Sequence, residues 1–322
     1  MVTKPAFMVT IDVELGWGFI GKKEDPGFHA LIRDNSACRD AVNFLLNVFE
    51  KYRIAATWAI VGHLFLNRVA EANTTNASNL KHKDRWAPYG SCVSTRKDLL
   101  YYGRDIIEKV LSSPIEHEIG YHSFSHINFS KCSREVAEDD IRKGVNLAND
   151  FGIKLESFVF PYNKIGHLDV LKKYGFRIYR GRNLGRWDVE QNRTIQMING
   201  ILDQMAPPSP VESRWVQGLL EIPSSMVFSG QFPFTRLLAL RCIFGINNAI
   251  RSNKIFHVAL HPWNMLFNSI PEEFEKLLRF VSRKRGEGRL SIIRMKDLAY
   301  DYYEKKQRFT SESEGSNIIR EN

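Results

Sequence analysis

The stretch AFMVTID, residues 6–12, decides the fold of this chain. It is apolar almost throughout and ends in the carboxylate of Asp12, a pattern that predicts a buried strand with an ionisable group at its carboxyl end. Similar Val-, Ile- and Phe-rich runs recur along the sequence and alternate with amphipathic helical patterns, such as residues 36–54 and 133–152. This alternation predicts an α/β protein in which a parallel sheet is closed, or nearly closed, by helices.

The composition is typical of a soluble globular protein. The chain has 322 residues, of which 43% are hydrophobic and 25% are charged. Its net charge of +9 suits an anionic partner, such as a phosphorylated glycan or a membrane surface, and a merely solvated basic surface is an equal alternative. We expect no nucleic-acid partner, because no long run of Lys and Arg concentrates the charge.

Several other classes of protein are disfavoured. The four cysteines are far apart, which argues against a cysteine zinc site and against a disulfide framework. The amino terminus enters the first predicted strand without an apolar leader, so we expect a cytoplasmic protein, the inner membrane surface included. The apolar stretch at residues 232–250 is interrupted by Arg236 and Arg241, and it predicts a core helix or, as the alternative, an interfacial helix.

Polar residues follow most of the predicted strands at their carboxyl ends. When parallel strands form a barrel, these ends meet at one mouth, where catalytic groups lie. We therefore expect one site there, built from residues of several strands. The candidates are Asp12 and Glu14, His122 and His126, Pro161 and Tyr162, Arg180, and His261.

The stretch HSFSH, residues 122–126, carries the clearest metal signature. Its histidines are four residues apart, whereas His117-Glu118 has its next histidine five residues on and fails the H-E-x-x-H pattern. Two histidines with one carboxylate are a common catalytic zinc set. Such a metal polarises a carbonyl and activates water, a second carboxylate can accept the proton of that water, and a histidine such as His261 can protonate a leaving amine.

Five motifs, in the correct order, resemble those of the polysaccharide deacetylases, also known as the NodB-homology domain or carbohydrate esterase family four. They are TIDVE at 10–14, ATWAIVGH at 56–63, HSFSH at 122–126, VFPY at 159–162 and LHPW at 260–263. The resemblance covers residues 6–181 and 255–300. It implies a distorted (β/α) barrel of about seven parallel strands in a single domain over residues 1–307, with an unaligned insert at about 182–250 and a disordered tail at 308–322.

The resemblance also implies roles for residues of this chain. It implies zinc, or another divalent transition metal, with Glu14, His122 and His126 as ligands. Asp12 would then act as the base and His261 as the acid, while the backbone N–H of Tyr162 would stabilise the oxyanion. The residues expected to bind substrate are Pro161, Tyr162, Arg180 and Trp263.

Two positions depart from the family pattern. Val13 stands where the family has its ligand aspartate, and Glu14 lies one residue further along, which in a regular strand is the other face from Val13. Glu14 is the favoured ligand if the backbone turns there, and Asp12 is the alternative. Val159 replaces the arginine that orients the base in the family, so Arg180 or Lys164 would have to substitute for it.

The leading hypothesis is a metal-dependent hydrolase that removes an N-acyl group, in particular acetyl, from a sugar. A nucleotide-linked or lipid-linked precursor of a surface polysaccharide or glycolipid would suit the basic chain, and peripheral membrane contact would fit the same charge. One alternative is a metal-independent hydrolase of a small non-sugar amide on the same fold. The other is a non-catalytic barrel that binds anionic surfaces.

Overall fold

A single curled sheet forms the centre of the molecule. The computed structural model describes residues 4–19, 36–66, 99–182, 207–229 and 235–304. The strands are β1 (Ala6–Val13), β2 (Thr57–Ile60), β3 (Glu118–Tyr121), β4 (Ser157–Val159), β5 (Ile178–Arg180), β6 (Arg214–Val216), β7 (Leu219–Ile222), β8 (Met226–Val227), β9 (Ile255–Leu260) and β10 (Ser291–Ile292). The helices are α1 (Ala37–Tyr52), α2 (Arg104–Leu111), α3 (Arg134–Asp150), α4 (Leu168–Lys173), α5 (Leu238–Ser252), α6 (Ile270–Gly286) and α7 (295–304).

The sheet is parallel except at one edge. Its strand order is β6-β7-β5-β4-β3-β2-β1-β9-β8, and β10 pairs with the first residues of β1. Only the pair β6–β7 is antiparallel among these strands. Within the described residues, seven parallel strands have three or more residues, namely β1 to β5, β7 and β9. The predicted α/β class and distorted barrel of about seven parallel strands are therefore confirmed.

The alternation of side chains along β1 separates two apolar layers. The strand pairs with β9 on one side and with β2 on the other, so it lies inside the sheet. Its odd-numbered residues, from Phe7 to Val13, are buried in the outer layer between the sheet and the helices. Ala6 and Met8 belong instead to a smaller inner layer, where Met295 of α7 is also buried. The two faces of one strand thus build the two layers of the core.

Helix α7 covers the end of the barrel where the strands begin. The backbone N–H of Met295 donates to the Thr57 hydroxyl, and that of Lys296 donates to the Glu118 carboxylate, so the start of α7 is joined to the first residues of β2 and β3. A bridge between Val211 and Ile255 brings the chain before β6 to the first residue of β9. The polar groups lie at the opposite end of the barrel, where the strands stop.

Part of the region that the sequence left unaligned belongs to the same sheet. Residues 207–229 contain β6, β7 and β8, and α5 packs against α6 and β9. The rest of the expected insert and the expected tail at 308–322 lie outside the described residues. Among the described helices, none combines the length and the apolarity that a bilayer-spanning segment requires.

His63 is a buried histidine that stays neutral in the folded protein. Its ring stacks on Trp17, with centroids 4.1 Å apart, and its Nδ1 donates to the Phe124 carbonyl at 2.7 Å. Burial lowers the pKa of His63 from 6.5 to about 3. An unfolded chain therefore binds a proton at this ring below pH 6.5 that the folded protein does not bind. The buried neutral ring therefore costs no stability well above pH 6.5. The free energy of unfolding falls as the pH drops from 6.5 toward the folded pKa.

We predict that His63→Gln reduces the acid sensitivity of the fold. For one such histidine, the loss of stability between about pH 7.5 and about pH 5 amounts to about 2 kcal/mol. Urea unfolding of both proteins at the two pH values measures the difference. Leu64→Ala is the control, because it destabilises the same buried region without removing a titratable group. An unchanged pH dependence in His63→Gln would contradict the prediction.

Candidate active site

Asp12 and Glu14 project from the same face of β1. Val13, between them, is fully buried in the outer apolar layer, so the alternation sends both carboxylates inward. The chain turns only after Glu14, where Leu15 has a left-handed φ of 48°. Glu14 therefore needs no earlier turn to reach the barrel interior, in contrast to the sequence-based expectation, because residues two apart in a strand share a face.

The Glu14 carboxylate lies between two imidazole rings. Its Oε1 is 2.9 Å from Nε2 of His122 and 3.0 Å from Nε2 of His126. A Cβ at Gly18 would overlap Oε2 of Glu14, so glycine is the residue that leaves the carboxylate in this place. Burial alone would raise the pKa of Glu14, but the neighbouring rings of His126, His261 and His122 hold it well below its usual range.

A buried aspartate on α3 holds the HSFSH loop. Asp140 accepts hydrogen bonds from the Ser123 hydroxyl at 3.0 Å and from the backbone N–H groups of Phe124 and Ser125 at 2.7 and 3.1 Å. Ser123 and His126 have left-handed φ values of 67° and 54°. Such conformations cost free energy in residues other than glycine, so the loop depends on these bonds to present its second histidine.

The hydrogen bonding of His122 favours a cation beside Glu14. Its Nδ1 is 2.7 Å from the carbonyl oxygen of Val159, which can only accept, so Nδ1 carries the proton and Nε2 of the neutral ring presents a lone pair. That lone pair faces Oε1 of Glu14, another acceptor. One small cation would satisfy both atoms and His126 as well, whereas protonating both rings would bury two positive charges beside one carboxylate. The donor set fits a divalent metal such as zinc.

Arg180, the last residue of β5, forms a bidentate ion pair with Asp12. Nη1 donates to Oδ1 at 2.7 Å and Nη2 donates to Oδ2 at 2.6 Å, and both side chains are buried. Burial would raise the pKa of Asp12, but the guanidinium outweighs it, so the pKa is lowered. Val159 of β4 is the direct cross-strand neighbour of Arg180. Of the two substitutes that the sequence offered for the missing arginine, Arg180 is the one on Asp12.

A chain of buried polar groups continues below this pair. Nη1 of Arg180 also donates to the Thr10 hydroxyl at 3.1 Å, and that hydroxyl lies 3.0 Å from Nε2 of His257. Nδ1 of His257 donates to the Pro223 carbonyl at 2.8 Å, which leaves Nε2 to accept from Thr10. Burial lowers the pKa of His257 to about 3. The Thr10 hydroxyl therefore helps to orient the arginine, and His257 orients that hydroxyl.

His261, directly after β9, faces both carboxylates. Its Nε2 is 3.4 Å from Oε1 of Glu14 and 3.8 Å from Oδ2 of Asp12. Burial lowers the pKa of His261, but the two carboxylates outweigh it and the pKa is raised. The ring stacks on Trp263, with centroids 4.9 Å apart. Trp263 is only 8% exposed and lies against His261, and its expected contact with substrate stays a prediction.

The turn Pro161–Asn163 closes another side of the site. Tyr162 has a left-handed φ of 58°, and its hydroxyl lies 3.2 Å from Nδ1 of His126. Its side chain is 40% exposed, whereas Pro161 is buried. Nη2 of Arg180 lies 3.4 Å from Oδ1 of Asn163. Among the predicted substrate-binding residues, Tyr162 is thus the exposed one, and Pro161 shapes the turn.

Two overlapping groups of ligand atoms could hold an ion among the described residues. One is Glu14, His122 and His126, and the other is Asp12, Glu14 and His261; in each, the ligand atoms lie within 4.8 Å of one another. Glu14 belongs to both groups. Both oxygens of Asp12 are bonded to Arg180. The geometry therefore favours Glu14 over Asp12 as the carboxylate ligand.

Sequence reasoning missed three residues that support the site. Asp140 lies among buried apolar residues of α3, and a carboxylate on the apolar face of a predicted helix was the available signal. Thr10 shares the inward face of β1 with Asp12, and His257 shares that of β9 with His261, both by the two-residue period of strands. Applied to β1 and β9, the two-residue period of strands could therefore have identified Thr10 and His257 from the sequence.

Known proteins resemble this chain in sequence pattern and in fold. Residues 22–179 match the family model described as polysaccharide deacetylase. A candidate polysaccharide deacetylase from Mycobacterium smegmatis matches with a TM-score of 0.61 at 13% identity, over 94% of this chain and 91% of that chain. The Puue allantoinase matches with a TM-score of 0.56 at 12% identity, over 92% of this chain and 90% of that chain. A second candidate polysaccharide deacetylase, from Pseudomonas aeruginosa PAO1, matches with a TM-score of 0.52 at 11% identity, over 93% of this chain and 91% of that chain.

No curated protein matches the sequence. At these low identities the solved structures establish the fold alone, and they establish it over nearly the whole length of the chain. The family model reaches through the HSFSH loop and the turn at Pro161, where two sides of the site are built. The chain therefore belongs to the polysaccharide deacetylase family of deacetylase enzymes.

Proposed function

We propose that this protein is a metal-dependent hydrolase that removes the N-acetyl group of a sugar. The observation that carries the proposal is the convergence of Glu14, His122 and His126 on one point, next to the Asp12–Arg180 pair. A divalent metal bound there would polarise the amide carbonyl and activate a water molecule. The same ion would bind both Oε1 of Glu14 and Nε2 of His122, which lie 2.9 Å apart.

The surrounding groups have roles that follow from their positions. Asp12 is kept ionised and fixed in orientation by Arg180, and it accepts the proton of the attacking water. His261 reaches the same space from β9 and donates a proton to the leaving nitrogen, since an amine is otherwise a poor leaving group. The backbone N–H of Tyr162 has the role of stabilising the developing oxyanion.

The sugar is proposed to be linked to a phosphate, as in nucleotide-linked and lipid-linked precursors. The net charge of +9 supports this, because a positive protein attracts anionic substrates to its surface. A second candidate function is the metal-independent hydrolysis of a small non-sugar amide. The similarity in fold to an allantoinase favours that candidate, and the donor set at Glu14 speaks against it.

We predict acetate release from N-acetylated sugars. The purified protein is incubated with N-acetylglucosamine oligomers, with uridine-diphosphate-linked N-acetylglucosamine and with allantoin, each with and without a chelator. Release from a sugar substrate, lost on chelation and restored by added zinc, is the expected result. Turnover of allantoin that survives chelation would favour the second candidate, and no release from any sugar by the metal-loaded protein would contradict the proposal.

We predict that His122→Ala and His126→Ala lose the metal. Each removes one of three donors, so zinc affinity should fall by at least about 100-fold, by analogy with losses seen for partners of metal ligands. Metal content after dialysis, measured by elemental analysis, reads this out independently of activity. The control is His167→Ala, whose ring binds the Cys132 carbonyl outside the cluster. Equal zinc content in all four proteins would rule out this set of ligands.

We predict that the two carboxylates separate by role. Glu14→Gln should lose metal, whereas Asp12→Asn should retain metal and lose about 100- to 10,000-fold in kcat, because a general base is removed. Thermal unfolding of Asp12→Asn checks the fold, since the change leaves Arg180 buried without its charge partner. The assignment fails if Asp12→Asn loses the metal and Glu14→Gln keeps it.

A further inference from the structure

Helix α5 presents an apolar strip to the surface. Leu237, at its start, is 46% exposed, Leu240 is 47% exposed and Phe244 is 50% exposed. Their spacing of three and four residues places them on one side of the helix. The opposite side is buried against the outer core through residues such as Cys242 and Ile246. Large apolar side chains rarely cluster in this way on a surface that meets only water.

The stretch of sequence that contains this strip carries charge of one sign. From Ile222 to Pro271 the sequence contains no Asp or Glu, while it contains three arginines and one lysine. Arg236 is exposed beside Leu237, and Arg241 is half-buried one turn further on. Of the two acidic residues in the first turn of α6, Glu272 is exposed, whereas Glu273 is buried and accepts from the backbone N–H of Ala239, so it caps α5 from inside.

The strip begins at the end of the barrel that holds the site and runs to the middle of α5. Helix α5 leads into β9, and its last turn is next to the strand starts, since Lys254 bonds to Ala249 and Ala6 bonds to Lys254. Its first turn is at the opposite end, where the Thr235 hydroxyl is 3.0 Å from that of Ser269. Ser269 closely follows the turn Pro262–Leu266, which begins directly after His261.

We propose that this surface, formed by Arg236, Leu237, Leu240, Arg241 and Phe244, docks the protein onto an anionic lipid bilayer. Leucine and phenylalanine enter the boundary between headgroups and acyl chains, and the arginines bind lipid phosphates. A second copy of the chain fits less well, because a two-fold contact would bring the arginines of both copies into one interface where α5 offers no acidic residue to pair with them. The bilayer is the partner whose charge and apolarity complement both parts of the surface.

Docking in this way would bring the mouth of the barrel to the membrane. If the proposed deacetylase activity holds, a consequence is that the favoured substrate carries its N-acetyl sugar on a lipid phosphate and presents it at the headgroup level. This consequence depends on the proposed function, whereas the docking surface itself does not. Vesicle binding by the protein without any sugar therefore tests docking separately from catalysis.

The test is cosedimentation of the full-length protein with vesicles. Phosphatidylcholine vesicles are compared with vesicles containing about one-third phosphatidylglycerol, at about 0.1 M and about 0.5 M salt. We expect binding to the anionic vesicles that weakens at high salt. Both the double variant Leu240→Ser/Phe244→Ser and the variant Arg236→Gln/Arg241→Gln should bind at least about tenfold more weakly.

The matched control is Leu111→Ser, which removes a single leucine of α2 that is 50% exposed. It should bind as the unchanged protein does, and all variants should keep their activity on a soluble N-acetylated sugar. The proposal is overturned if the anionic vesicles bind no protein, or if the α5 variants bind as well as the control. It is also overturned if the unchanged protein is a dimer on size exclusion and the α5 variants are monomers, because the surface then binds a second copy.

Discussion

The two-residue alternation along β1 is the constraint on which the site depends. It fixes Val13 in the outer apolar layer and sends Asp12 and Glu14 into the barrel together. A one-residue shift would exchange the two faces, burying a carboxylate among the side chains that pack on α1 and exposing apolar residues to the mouth. The position of the second carboxylate is therefore coupled to the packing of the core. The site carboxylates and the apolar core therefore depend on the same register of β1.

The interior of the barrel holds its charges in pairs. Asp12 and Arg180 are both buried and form an ion pair. The arginine also donates to the Thr10 hydroxyl, which is itself hydrogen-bonded to His257. An unpaired charge at this depth would cost several kcal/mol. Arg180 is the cross-strand neighbour of Val159, a position from which its guanidinium reaches the Asp12 carboxylate. Adjacent strands of a sheet are about 4.8 Å apart, a distance that the long arginine side chain readily spans.

The α5 surface begins at the end of the fold that holds the site for a simple topological reason. In a parallel sheet, a helix that leads into a strand starts at the end where the strands stop, so the first turn of α5 comes to the mouth that His261 lines. The mouth of the barrel thus adjoins a surface of basic and apolar residues. The two features require only that the strands be parallel, which the order of elements already imposes.

The sequence by itself determined the α/β barrel, the strand ends and the candidate residues, because strand period, helix period and ordered motifs are local properties of the chain. It left open whether Asp12 or Glu14 faces a metal, and whether Arg180 or Lys164 replaces the missing arginine. Tertiary structure bears on both questions, since a contact such as Asp12–Arg180 joins residues 168 positions apart. It also buried Trp263 behind His261 and placed Asp140 beneath the HSFSH loop. Side chains that meet across the barrel are fixed by the curvature and register of the whole sheet, which no local pattern encodes.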